Sequence, residues 1–203
     1  MYITYSLLAV TILISVKAFD DESWKRRLML NPYDVVHHKK WYRTFTHAFI
    51  HADFAHLFFN MYVLYLFGEF LEERFIAEYG LRGYMLYALL YLSAILFSSI
   101  FSIAKHKDNI HYNSLGASGA VSAVLFAYIV VNPMAELGLL ILPIFVPAYI
   151  FGPIILFVEY LLAKRGGTGI AHDAHIAGAI YGIVFMLILN YNYLFEFIDQ
   201  FKV

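Results

Sequence analysis

The chain has no cysteine. That excludes disulfides, thiolate nucleophiles and cysteine-ligated metals, and it leaves the redox compartment open. Charge is also scarce. Only 14% of the 203 residues are charged, where a soluble domain carries about 25%. Lys and Arg number 14 and Asp and Glu 15, a net charge of −1 with no basic excess to hold nucleic acid. What abounds is apolar: 62% of residues are hydrophobic and mean hydropathy is +0.67. The natural solvent for such a chain is lipid, and its length fits a single domain over 1–203.

Uncharged stretches locate the spans. Residues 83–104, 137–158 and 174–195 each run 22 residues without Asp, Glu, Lys or Arg, close to the roughly 20 that cross a bilayer as a helix. Three other uncharged stretches, some extended by their flanks, complete an expectation of six transmembrane helices, at about 1–19, 55–73, 83–104, 116–131, 137–162 and 174–194. The first lacks a basic start and a small-residue cleavage site, so it is expected to stay as a helix rather than be cleaved as a signal. Tyr and Trp near the ends, such as Tyr2, Trp24, Trp41, Tyr79 and Tyr191, suit interfacial belts. The long polar connection 20–53 is expected to hold short amphipathic pieces at the membrane surface. Pro143, Pro147 and Pro153 remove backbone donors from the fifth span and mark it as a gate or a set of static kinks.

The fourth span is short. From Ser118 to Asn132 the chain covers about 22 Å as a helix, less than a hydrocarbon core of about 30 Å. Ser118 therefore lies below one interface, preceded by irregular chain that requires protein cover or a cavity reached by water. Gly116-Ala117-Ser118-Gly119 places a hydroxyl beside the free amides and positive dipole end of a helix start. That setting suits a nucleophile with an oxyanion hole. The same small residues also serve as a plain helix contact.

In the sixth span His175, Gly178, Ala179 and Gly182 share one face. Gly178 and Gly182 form a GxxxG surface that can meet the small face Gly116, Gly119, Ala120, Ala123 and Ala127 of the fourth span. Such packing brings His175 to the level of Ser118 as a base for its hydroxyl. His56 and Asn60, four apart on the second span, offer side-chain donors to an oxyanion, or interhelical polar contacts. His47 and His51 are expected to bond the long loop to the helix end.

The set His56-x-x-x-Asn60, Gly116-Ala-Ser118-Gly119 and His175-x-x-Gly178-x-x-x-Gly182, in that order on spans two, four and six, closely resembles the rhomboid family of intramembrane serine proteases. Trp41-x-Arg43 resembles that family's first-loop element, and Gly68 and Glu72 fit its second helix. The resemblance covers nearly the whole chain, in the basic six-helix bacterial-type form. It implies an all-α membrane bundle with a long, partly helical first loop and a short central fourth helix. It implies a Ser118–His175 dyad with no third acid, and an oxyanion held by His56, Asn60 and the Ser118 N–H. Transmembrane proteins in the lipid bilayer would be the substrates, with no metal and no cofactor. Asp173, two residues before His175, points to another helix face and is left out.

Two features depart from the family pattern. Many members carry an aromatic four positions after the nucleophile, stacked on the histidine; here Ser122 stands there, so something else must orient the ring. The topology implied by the family places loops one, three and five outside. Those loops hold ten Lys and Arg against Arg74, Arg82 and Lys202 inside, the reverse of the positive-inside expectation. With the family topology adopted, the expected location is a bacterial inner or cell membrane, the site opening to the extracytoplasmic side.

The alternative is a catalytically inactive relative that binds or escorts membrane proteins, a type that typically loses the serine or the histidine; both are present. A transporter would show two related halves, and none is found. An aspartyl protease needs two intramembrane aspartates. A metalloenzyme built from His47, His51, His56, His172 and His175 lacks HExxH, and no intramembrane carboxylate is expected beside those histidines.

Overall fold

A computed structural model describes residues 2–138, 144–166 and 169–202. Helix α1 (Tyr2–Asp20) leads into short helices α2 (Glu22–Leu28), α3 (Pro32–His37) and α4 (Arg43–Thr46) and a 3-10 turn at His47–Phe49. Long helices α5 (Phe54–Tyr79) and α6 (Arg82–His106) follow, then the short α7 (Ser118–Val131). A two-stranded antiparallel hairpin, β1 (Glu136–Gly138) with β2 (Phe145–Pro147), precedes α8 (Ala148–Arg165). Helices α9 (His172–Leu189) and α10 (Asn192–Asp199) end the described chain. This is an all-α membrane bundle apart from that hairpin. Helices α1, α5, α6 and α9 are long and apolar enough to cross a bilayer. Their outer surfaces are apolar where a soluble protein would be polar: Leu13, Met85 and Ile188 are 71%, 74% and 80% exposed.

Helix α7 sits at the centre. Residues on every side of it are buried, from Gly119 and Val121 to Phe126 and Val130, the mark of a helix that is apolar all round. It packs most extensively on α9, with α5 and α6 against other faces. At the start of α1, buried Glu72 of α5 accepts hydrogen bonds from the amides of Ile3 (2.9 Å) and Thr4 (2.8 Å). A carboxylate there satisfies free donors of the first turn of α1 and complements its dipole.

The expected fifth helix at 137–162 needs correction. Its first part forms β1 and β2, and the helix begins only at Ala148. Hydropathy alone does not separate a helix from an apolar hairpin. Pro147 is the N-cap of α8 and Pro153 lies inside it, so of these two described prolines only Pro153 interrupts helical bonding. Pro143 lies outside the described residues. The sixth span also stops earlier than expected, at Leu189. Asn190 caps it, and an amphipathic α10 continues separately.

The first loop is a scaffold for what precedes α7. Leu30 and Ser114 exchange both backbone hydrogen bonds at 2.9 Å. Asn31 Nδ2 donates to the carbonyls of Ile110 and Tyr112, each at 3.1 Å. Buried Arg43 holds the loop together, donating to the carbonyls of Arg26 and Met29 and pairing with Asp34 at 3.2 Å. The irregular backbone before Ser118 thus finds protein partners, as any buried non-helical chain must.

Candidate active site

The site is built where two helix N-termini meet. Ser118 is the first residue of α7, and its N-cap, Ala117, makes no side-chain capping bond. The Ser118 N–H therefore has no carbonyl partner within its own helix. Two hydrogen bonds fix the approach to it: Gly116 N–H donates to the His47 carbonyl (2.9 Å) and Ala117 N–H donates to His51 Nε2 (3.3 Å). Because an amide N–H can only donate, His51 Nε2 is the acceptor and its Nδ1 carries the proton. Nδ1 donates to Ser15 Oγ (2.9 Å), whose hydroxyl donates to the Phe49 carbonyl (3.0 Å). Burial pushes the His51 pKa down to about 3, the nearby His56 adding to the effect, and burial pushes that of His47 down to about 4. Both rings are neutral at pH 7.

Gly116 is demanded twice over. Its φ is +113°, a region L side chains avoid, and an added Cβ would lie 2.7 Å from His56 Cε1. Gly178 and Gly182 press on the backbone of α7. A Cβ at Gly178 would run into the Gly119 carbonyl oxygen, and one at Gly182 into that of Ala123. Gly119 in turn sits where a Cβ would reach Ser98 Oγ at 2.5 Å. Close α7–α9 approach, which larger residues would block, carries His175 to the start of α7.

There His175 Nε2 lies 2.6 Å from Ser118 Oγ. On the other edge of the ring, His175 Nδ1 lies 3.1 Å from Glu159 Oε1. A carboxylate accepts, so the proton of the neutral ring sits on Nδ1 and Nε2 is left to accept the Ser118 hydroxyl proton. The second Glu159 oxygen receives His172 Nδ1 at 2.5 Å. Glu159, His172 and His175 offer ligand atoms that all lie within 4.8 Å of one another.

Glu159 corrects two expectations. A carboxylate does stand beside these histidines, and the Ser118–His175 pair has a third, acidic neighbour. It comes from the last turns of α8, one residue beyond the uncharged stretch 137–158, and no local spacing ties it to His175. With Ser122 in place of an aromatic, the contact to Glu159 Oε1 is a polar neighbour on the Nδ1 edge of the His175 ring. Asp173 instead pairs with Lys105 at 2.5 Å.

His56 and Asn60 lie on the first two turns of α5. Asp53 caps this helix by accepting from the His56 N–H at 2.8 Å. The ring of His56 stands against Gly116. Asn60 is buried, and its Nδ2 donates to the His56 carbonyl at 2.9 Å rather than toward Ser118. The cavity that touches Ser118 is about 20 Å³, bordered by Ser98, Ser99, His47, Gly116 and Gly119. That is room for about one water. A larger pocket of about 370 Å³ opens beside it, lined by His172, Asp173, Lys105, His106, His111 and Asn113.

Residues 38–192 match the model of the Rhomboid domain. Over 150 residues the chain is 31% identical to RHOMBOID-like protein 12, mitochondrial, of Arabidopsis thaliana, covering 66% of this chain and 42% of that protein. Over 140 residues it is 30% identical to the human Presenilin-associated rhomboid-like protein, mitochondrial, covering 67% and 35%. Rhomboid-like protein 11, chloroplastic, of Arabidopsis thaliana is 32% identical over 165 residues, covering 74% and 53%. The chain thus spans about half or less of the length of these relatives. Their names are organellar and lend nothing to the expected bacterial membrane; what the spanning helices carry is an integral membrane protein. With the domain match covering most of its length, this chain belongs to the rhomboid family.

Proposed function

We propose that the protein is an intramembrane serine endopeptidase that cuts single-pass transmembrane proteins within or near the bilayer. The observation that carries this reading is the 2.6 Å contact between Ser118 Oγ and His175 Nε2, with Nε2 free of its own proton because Nδ1 faces Glu159. A serine alone at a helix start would be a packing residue. A serine sharing its proton with an oriented imidazole is an activated nucleophile.

The chemistry is acyl transfer. Ser118 Oγ attacks the scissile carbonyl carbon as its proton passes to His175 Nε2. The carbonyl oxygen becomes an oxyanion, which the Ser118 N–H, His56 and, after its Nδ2 turns from the His56 carbonyl, Asn60 stabilise. His175 gives the proton to the leaving amine as the C–N bond breaks. Water then attacks the acyl-enzyme, again through His175, and Ser118 is regenerated. Glu159 acts as a positioning residue: it keeps the ring in the working tautomer and offsets the imidazolium charge as it forms. Substrates need small or helix-breaking residues at the cut, because a helical peptide bond has its carbonyl tied up in hydrogen bonding.

The test uses the full chain in liposomes with a single-pass model substrate. Ser118→Ala and His175→Ala each abolish cleavage while the protein stays folded. Substantial cleavage by Ser118→Ala would end the assignment, and no cleavage by the unaltered chain on a range of substrates would favour a binding or escort role.

A further inference from the structure

Three ligand-bearing side chains converge at the mouth of the site, and hydrolysis as proposed uses only two of them. His172 and His175 are three apart on the first turn of α9, and both direct Nδ1 at Glu159 of α8. We propose that Glu159, His172 and His175 form a reversible inhibitory site for a divalent transition-metal ion, Zn2+ above all. The inhibitory part of this proposal rests on the protease reading given above; the binding part does not.

The donor set selects the ion. Two imidazole nitrogens and one carboxylate oxygen suit zinc and its first-row neighbours, whereas magnesium and calcium take oxygen ligands. Three protein ligands with a fourth position left for water is a common zinc arrangement. The geometry is nearly in place. Ligand atoms around tetrahedral zinc, on bonds of about 2.0–2.1 Å, stand about 3.4 Å apart. Here His172 Nδ1 lies 2.5 Å from Glu159 Oε2 and His175 Nδ1 lies 3.1 Å from the other oxygen, Oε1, and one ligand atom from each of the three residues stands within 4.8 Å of the other two. The positive end of the α9 dipole opposes a cation, but the full negative charge of a directly coordinating Glu159 outweighs it. His172, although buried, borders the 370 Å³ pocket, where His106 and His111 stand nearby and Lys105 is already paired with Asp173.

Inhibition follows from the tautomer. A neutral imidazole holding metal on Nδ1 must carry its proton on Nε2. That is the nitrogen that has to accept the Ser118 proton, so the metal-bound ring donates to Ser118 and cannot act as its base. The ion also takes Glu159 away from its positioning task. Metal and catalysis are then mutually exclusive uses of one histidine, and removing the ion restores activity.

Binding is read directly, on the full chain in detergent and without a histidine tag. Zn2+ is titrated in a metal buffer, and Co2+ serves as a spectroscopic substitute whose visible absorption reports tetrahedral nitrogen and oxygen ligands. The Ser118→Ala protein is the reference, because Ser118 is not a ligand and cleavage plays no part in the reading. One ion per chain is expected. His172→Asn and Glu159→Gln each weaken binding at least about tenfold, as loss of a ligand or its support does. Glu159→Asp, which keeps a carboxylate, retains measurable binding and guards against a folding artefact. On the unaltered chain, cleavage halves at the free zinc concentration that half-fills the site, and a chelator restores it. The proposal is overturned by absence of saturable binding, by binding that ignores His172 and Glu159 but vanishes on changing His106 and His111, or by zinc that stimulates cleavage. A chain that binds zinc at these residues yet never cleaves would instead overturn the protease reading and leave the metal site standing.

Discussion

Replacing Glu159 by Gln changes one atom type and almost no volume, so it isolates what the carboxylate does. In the unaltered chain, Glu159 accepts from two rings at once, His175 at 3.1 Å and His172 at 2.5 Å. An amide offers one acceptor and one donor group. One of the two rings must then face an N–H₂ and switch its proton to the far nitrogen. If that ring is His175, its Nε2 becomes protonated and no longer accepts from Ser118. The charge matters as well. Opposite charges about 4 Å apart attract by about 4 kcal/mol at an effective dielectric constant of about 20. Glu159 and His175 are 20% and 16% exposed at the side chain, so water screens part of this and about 3 kcal/mol remains to stabilise the imidazolium. That corresponds to roughly a 10²-fold loss in rate. The assay is cleavage of a reconstituted single-pass substrate, with kcat and KM separated. The Gln variant lowers kcat by roughly 10²-fold and leaves KM within about threefold, because the lost interaction belongs to the transition state. Glu159→Asp retains part of the rate. If Glu159→Gln and Glu159→Ala, both folded, keep kcat within about threefold of the unaltered chain, the positioning role is refuted.

Acid should loosen the first loop. His47 and His51 have depressed folded pKa values of about 4 and about 3, so the unfolded chain takes up protons first as pH falls. Their stabilising effect is complete above about pH 6.5 and is lost as pH drops toward those values, by roughly 1 kcal/mol per histidine at pH 5.5. Apparent Tm in detergent should fall between pH 7.5 and 5.5, and less steeply in His47→Gln and His51→Gln; a flat profile, or one unchanged by both substitutions, contradicts this. Gly178→Val forces α9 away from the Gly119 carbonyl, costs about 1–3 kcal/mol of stability and separates His175 from Ser118. Its Tm and cleavage should fall together, and wild-type values for both would contradict the packing. Asn60→Ala should slow turnover about tenfold or more as an oxyanion donor is lost; an unchanged rate would remove Asn60 from the oxyanion set.

The pairing of Ser118 with His175 was legible because each half carries its own packing signature. Gly116 and Gly119 flank one, Gly178 and Gly182 follow the other, and small faces on two helices predict close approach. The covered first loop was legible only as a long polar connection; that Asn31 and Leu30 satisfy the backbone before Ser118 is a pairing across some 80 residues that no local pattern reveals. Glu159 was hidden for a similar reason. It reads as the polar end of an apolar run, and its register against α9 depends on how two helices dock. The hairpin at Glu136–Gly138 and Phe145–Pro147 was masked by hydrophobicity, which is the same for a strand and a span. There Pro147 was the better signal, since it stands at the boundary where α8 begins, whereas Pro153 lies within the helix.

A mechanism-based serine reagent, mapped by peptide mass spectrometry on the full chain in detergent, tests the central claim most directly. Only a serine whose proton is drawn by a base reacts readily with such a compound. The account predicts a single labelled residue, Ser118, and loss of the label in His175→Ala. Labelling of another serine, or equal labelling of Ser118 with and without His175, would contradict it.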